Sequence, residues 1–146
     1  MKKLYLDMNI YNRPFDDQSQ VRIRLETIAT YAILKTIKER RYSLLWSFML
    51  EFENSLNPDE DIKVEIQMTS SLALELINMT EDILITAKSL ESKGIKPRDA
   101  IHIACAIKGD ADYFLTCDDK LTRKSQLIKD KIIIMNPIDF IRVEVK

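Results

Sequence analysis

Three aspartates in this 146-residue chain stand where acids can act together. Asp7 follows the apolar run Leu4-Tyr5-Leu6, and Asp118 follows Tyr113 to Cys117. Both runs read as buried strands, so both acids sit at strand ends. In open parallel sheets, sites form beyond the carboxyl ends of the strands, which puts the two acids on one rim. Asp99 comes just after Pro97, in the first turn of a helix that starts near the same rim. Singly, each acid has an ordinary role, such as a helix cap, a first-turn charge or a loop hydrogen-bond acceptor. Together they do not. Three carboxylates about 6 Å apart would repel by roughly 3 kcal/mol per pair at an effective dielectric near 20. A cation offsets that cost, and hard oxygen ligands select Mg²⁺ or Mn²⁺.

Other chemistries lack their residues. The chain has one histidine, His102, and two cysteines, Cys105 and Cys117, which excludes Cys/His zinc sites and a disulfide framework. Both cysteines lie in apolar stretches and read as buried thiols. Two glycines, Gly94 and Gly109, cannot make a glycine-rich phosphate loop. No Ser-His or Cys-His nucleophile arrangement is evident. His102, three residues after Asp99, is placed to flank the site, but the favoured reading is a helix residue with local hydrogen bonds. Lys+Arg number 22 against 23 Asp+Glu, a net charge of -1, so any polyanion site is a local cluster. The segment MKKLYLD is too short for a signal peptide, and no apolar run spans a membrane. The expectation is a soluble, cytoplasmic protein with no membrane role.

The remaining chain supplies the frame. Lys3–Leu6, Tyr42–Trp46, Tyr113–Thr116 and Lys131–Met135 read as strands; 74–79 reads as strand or helix. Residues 20–40 read as a long amphipathic helix capped by Ser19, with Lys38, Arg40 and Arg41 in its last turn. Further helices are expected from Ser47 to Ser55, from Asn57-Pro58 to about 72, from Thr80 to Gly94, from Pro97 to Gly109 and over 119–126. Asn9 to Asp17 reads as loop, and Asn136-Pro137 as the close of the last strand. Strands alternating with helices argue for an α/β fold around a mostly parallel sheet, in one domain over 1–146.

Leu6-Asp7-Met8-Asn9, Asp99 to Ala106 and Leu115-Thr116-Cys117-Asp118, in that order, resemble the PIN-domain nuclease family, which includes VapC-type toxins. The resemblance runs over nearly the whole chain and implies a three-layer α/β/α sandwich. The family pattern adds a glutamate on the helix after the second strand. Glu53 fits best and Glu51 is the rival; the two lie about 200° apart on a helix. The resemblance thus implies that Asp7, Glu53, Asp99 and Asp118 hold Mg²⁺ or Mn²⁺. Asn9 and Thr116 would support the ligands, with Asp119 in a secondary role. It also implies hydrolysis of RNA, a small antitoxin partner and a homodimer. The Asn9–Asp17 stretch departs from the short apolar segment usual after the first aspartate of such toxins.

Basic residues near these acids are candidates to hold a nucleic-acid backbone: Arg13, Arg22, Arg24, Lys93, Lys96, Arg98, Lys120, Arg123 and Lys124. Tyr11 and Phe15 are the loop aromatics that could stack on bases; Trp46 reads as core. The leading expectation is a metal-dependent endoribonuclease, as the toxin of a type II toxin–antitoxin pair. The alternative is a non-catalytic nucleic-acid or protein-binding module on the same scaffold. A haloacid-dehalogenase-like phosphatase ranks below both, because Asn9 stands where that chemistry needs a proton-donating aspartate.

Overall fold

A computed structural model describes residues 1–128, 130 and 132–144. The strands are β1 (Lys2–Leu6), β2 (Tyr42–Ser47), β3 (Glu75–Ile77), β4 (Tyr113–Leu115) and β5 (Ile133–Met135). All pair in parallel, in the order β3-β2-β1-β4-β5. Parallel sheets are covered on both faces, and the strands show it: Leu4, Tyr5, Leu6, Leu44, Leu45, Phe114 and Leu115 have no exposed surface. The covering helices are α1 (Met8–Asn12), α2 (Val21–Lys38), α3 (Phe48–Ser55), α4 (Glu60–Ser70), α5 (Glu81–Ser92), α6 (Pro97–Lys108), α7 (Asp119–Arg123) and α8 (Pro137–Glu144). The architecture is the expected α/β/α sandwich, with 74–79 resolved as a strand and the sheet parallel throughout.

Several local expectations are corrected. Residues 8–15 are not loop but α1 followed by a 3-10 turn at Arg13–Phe15. Asp7 caps α1, and Ile10 and Tyr11 bury beneath it, which outweighs the loop-like composition. The cap of α4 is Asp59, whose side chain accepts from the Asp61 and Ile62 amides; Asn57 instead turns the chain by accepting from the Asp59 amide. The N-cap of α2 is Gln20 rather than Ser19, and makes no side-chain cap bond. That helix ends at Lys38, so Arg40 and Arg41 lie beyond it, Arg40 in left-handed backbone. Thr80 bonds Asp82 and gives α5 no side-chain cap. After α5 the chain turns at Gly94 with φ of 98°, which glycine adopts freely. The last strand ends before Asn136-Pro137 as expected, but Pro137 also opens an unforeseen helix, α8, where Asn136 Oδ1 accepts from the Ile138 amide. Of the expected last strand, Lys131 lies outside the described residues.

Register sets the site. Leu6 pairs with Leu115, and the Asp7 amide donates to the Leu115 carbonyl at 2.9 Å. The carboxyl ends of β1 and β4 therefore finish side by side, with Asp7 against Thr116. Both cysteines are buried, and burial pushes each thiol up to about 12, which leaves them unreactive at neutral pH.

Candidate metal centre

Thr116 is the junction of the site. It has no exposed surface, and its hydroxyl donates to Asp7 Oδ2 at 2.9 Å. Thr116 Oγ1 also accepts from the Asp118 amide at 3.1 Å and from Asn9 Nδ2 at 3.1 Å. Asn9 also donates to Asp7 Oδ2 at 3.3 Å, and its Oδ1 accepts from the Cys117 amide at 3.0 Å. One hydroxyl and one amide thus tie the end of β1 and the start of α1 to the turn from β4 into α7. Asp7 Oδ1 accepts from the Met8 amide at 2.8 Å.

Asp7 is 7% exposed. Burial pushes its carboxyl above the usual range; His102, Thr116 and the Met8 amide pull the other way, while Glu53 adds to the rise. Asp99, in the first turn of α6, is half-buried and takes no hydrogen bond or ion pair among the described residues. Burial raises its carboxyl, and the negative charges of Asp7 and Asp118 raise it further. Asp118 caps α7, accepting from the Lys120 amide at 2.9 Å. The three aspartates therefore lie within electrostatic reach of one another on one rim.

Glu53 reaches the rim through a buried chain. Its Oε1 accepts from His102 Nε2 at 2.6 Å, and its Oε2 lies 3.6 Å from Arg98. His102 Nδ1 meets the Tyr5 hydroxyl at 2.7 Å, which meets Ser47 Oγ at 2.6 Å; Ser47 in turn caps α3 by accepting from the Leu50 amide. His102 thus flanks the site, as its spacing from Asp99 allowed, and is not a helix residue with only local bonds but a link from α6 through Tyr5 of β1 to the helix bearing Glu53. Burial lowers its pKa, yet the bond to Glu53 and the charges of Asp7 and Asp99 prevail and raise it. A signal for this link was available: His102 sits three residues after Asp99, on the same helical face. Nothing in the sequence pointed to Tyr5 as its second partner.

Glu51, the rival, points elsewhere. It accepts from Trp46 Nε1 at 3.1 Å and from Gln67 at 3.3 Å. Asp119 is held by a two-bond pair with Arg22 at 2.6 Å. Arg13 is committed internally, to Glu26 at 2.9 Å and Asp16 at 2.8 Å. Lys96, Arg98 and Lys120 are exposed beside the acids. Tyr11 does not offer a face to bases; it is buried edge-on against Trp46, itself in the core.

In donor type, these oxygens suit a hard divalent ion, and the partnerless Asp99 carries the unmet charge such an ion would offset. In arrangement, no three His, Cys, Asp or Glu side chains among the described residues already close on a common point. Asp7 is occupied by three donors, Asp118 by its cap and Glu53 by His102 and Arg98, so binding a metal requires some of these to yield.

The fold has solved counterparts. One is the structure of VapBC2 from Rickettsia felis bound to a DNA fragment from its promoter, with a TM-score of 0.61 and 17% identity over 92% of this chain and 98% of that one. Another is VapBC-1 from nontypeable Haemophilus influenzae, with a TM-score of 0.54 and 14% identity over 94% and 98% of the two chains. At such identities the likeness concerns the fold. No curated protein sequence matches significantly. The PIN-domain family model, however, matches residues 4–127, a span that takes in the strand ends and helix starts bearing all the acids described, and the chain belongs to the PIN-domain family.

Proposed function

We propose that the protein is a Mg²⁺- or Mn²⁺-dependent endoribonuclease. The observation that carries this reading is Asp99: a half-buried carboxylate without a hydrogen-bond or ion-pair partner among the described residues, facing the like charges of Asp7 and Asp118. Asp7, Asp99 and Asp118 would hold the ion, with Glu53 as the fourth acid. A bound divalent ion would supply a water of lowered pKa and offset phosphodiester charge. Asn9 and Thr116 fix Asp7 relative to Asp118, and His102 with Arg98 orients Glu53. Lys96 and Lys120 make no ion pair among the described residues and can meet backbone phosphates, Arg98 could do so only from its place beside Glu53, and Arg13 is bound to Glu26 and Asp16. The test is cleavage of single-stranded RNA with and without Mn²⁺. Asp7→Asn should cut activity by at least about 100-fold while the fold stays intact, since such ions supply several kcal/mol. Full activity in that variant rejects the assignment.

As to biological role, we read the protein as the toxin of a type II toxin–antitoxin pair. The likeness of fold to VapBC structures supports this, as does an exposed apolar stripe on α2: Val21, Leu25, Ile28 and Tyr31. Such a stripe marks a macromolecular contact, either a small antitoxin or a second copy of the chain. Co-purification with the product of an adjacent small reading frame tests it. A second reading, a non-catalytic binding module, is favoured by one observation: the acids do not yet close on a common point. Calorimetry separates the two, because absence of Mn²⁺ binding at millimolar concentration supports the module.

A further inference from the structure

Beside the acid cluster lies an open cleft of about 400 Å³ that shares only Glu53 and Arg98 with the proposed metal chemistry. Its volume falls within the roughly 300–1,000 Å³ typical of small-ligand sites. Glu53 and Arg98 form its edge nearest the acids, and α1, the 3-10 turn and the α3–α4 connection form its walls. Three properties define what it could hold. It offers an aromatic face, since Phe15 is 43% exposed there and is not absorbed by the core. It offers unpaired amides: among the described residues the Asn12 side chain has no hydrogen bond, and Asn57 uses only its oxygen, on the Asp59 amide. Asn54, on the same wall, spends its Nδ2 on the Lys63 carbonyl, and its buried Oδ1 has no partner. The third property is charge. The lining carries the carboxylates Asp16 and Glu53, and among the described lining residues Arg98 is the one cation, on the side facing the acids. Asp16 is paired with Arg13, and Glu53 with His102 and Arg98, so among the described lining residues no unpaired cation draws a phosphate into the interior.

We propose that this cleft is a nucleobase subsite, which seats the base adjoining the phosphodiester at the acid cluster. A neutral flat heterocycle stacks on Phe15, and the side-chain amides of Asn12 and Asn57 meet its hydrogen-bonding edge. RNA-binding proteins read splayed-out bases in this way. Met8, Leu56, Pro58 and Ile62 also line the cleft and would suit an apolar peptide face, but covering the asparagines with one strips their water without replacing the bonds. The inference rests on the ribonuclease reading, but its test does not need turnover.

The experiment follows the side-chain amide signals of ¹⁵N-labelled protein, without metal, during titration with each of the four ribonucleoside 5′-monophosphates. In parallel, single-stranded RNA of random sequence is offered with Mn²⁺ to the wild type, Phe15→Ala and Asn12→Ala. At least one nucleotide should shift the Asn12 and Asn57 amides. Phe15→Ala should weaken that nucleotide at least about fivefold, as loss of one base stack does. Asn12→Ala should change the base preferred beside the cut. If no nucleotide reaches these amides, the subsite is overturned even where RNA is cleaved. If nucleotides bind there while RNA is never cut, the subsite stands and the nuclease reading falls. If only a small protein partner shifts the amides, and Phe15→Ala keeps wild-type base preference, the cleft belongs to protein recognition and the proposal is overturned.

Discussion

A carboxylate held next to other carboxylates is a cost to the fold until something positive arrives. Asp99 carries that cost most openly, since among the described residues it has no donor of its own. Asp99→Asn should therefore stabilise the metal-free protein, by roughly 1 kcal/mol, as removal of functional strain commonly does. Manganese should reverse the order: at 100 times its dissociation constant it stabilises a binding-competent fold by about 2.7 kcal/mol, and the variant should gain little of this. Urea unfolding of both proteins, with and without Mn²⁺, reads the crossover; parallel behaviour in the two conditions removes Asp99 from the metal set. Protonation should tell the same story. His102 is raised above its ordinary 6.5 by Glu53, Asp7 and Asp99, which prevail over burial. Its contribution to stability is thus complete below pH 6.5 and is lost as pH climbs through the raised value. Asp7 and Asp99, also raised, add a slope of the same sign at lower pH. Metal-free protein should accordingly unfold at lower urea at pH 8 than at pH 6, and His102→Gln should flatten that difference. A wild type indifferent to pH over this window would contradict the charge arrangement around His102.

Between elements, the site depends on a few short polar links rather than on the helices themselves. Thr116 is the test case, because one hydroxyl serves Asp7, Asn9 and the Asp118 amide. Thr116→Val keeps the shape and removes the bonds, which should cost about 1–3 kcal/mol. It should also lower Mn²⁺ affinity, because Asp7 loses its tie to the β4–α7 turn; thermal unfolding and calorimetry measure the two effects, and unchanged metal binding would show that Asp7 needs no such support. This link was half legible beforehand. The rim location of Asp7 and Asp118 followed from apolar runs that stop at acids, because strand ends in parallel sheets share an edge. What pattern could not carry was the direction of side chains. Glu53 and Glu51 were separated only by tertiary partners, His102 for one and Trp46 for the other. Ambiguous dipeptides misled in the same way. Asn136-Pro137 is equally a stop or a helix start, and α8 exists because Phe140 buries between Tyr42 and Tyr113. Asn57-Pro58 looked like a cap, yet Asp59 competes for that role with a carboxylate and satisfies two amides.

At the scale of the whole molecule, the charge balance and the apolar surface point to different kinds of contact. With a net charge of -1, the protein has no general attraction for nucleic acid, so under the ribonuclease proposal the RNA would have to be held locally, with Lys96, Arg98 and Lys120 near the acids as the candidates. The α2 stripe offers the opposite chemistry. Val21, Leu25, Ile28 and Tyr31 recur at helical spacing, and each is about half exposed or more. No helix among the described residues is long and apolar enough to cross a membrane, so lipid burial of a spanning segment does not account for this surface. Under the proposed toxin role, a protein contact would cover it, with an antitoxin or a second copy of the chain as the candidates to test. Ile28, 62% exposed, is the discriminating position. Changing it to lysine should leave the urea midpoint within about 0.5 kcal/mol of wild type, because surface substitutions rarely do more. It should weaken self-association or antitoxin binding at least about tenfold, because a lysine charge desolvated against an apolar partner is expensive. Sedimentation equilibrium of the free chain and of the co-purified complex measures both contacts. Unaltered assembly in both would mean that the stripe is ordinary exposed surface and that partners engage the molecule from another side.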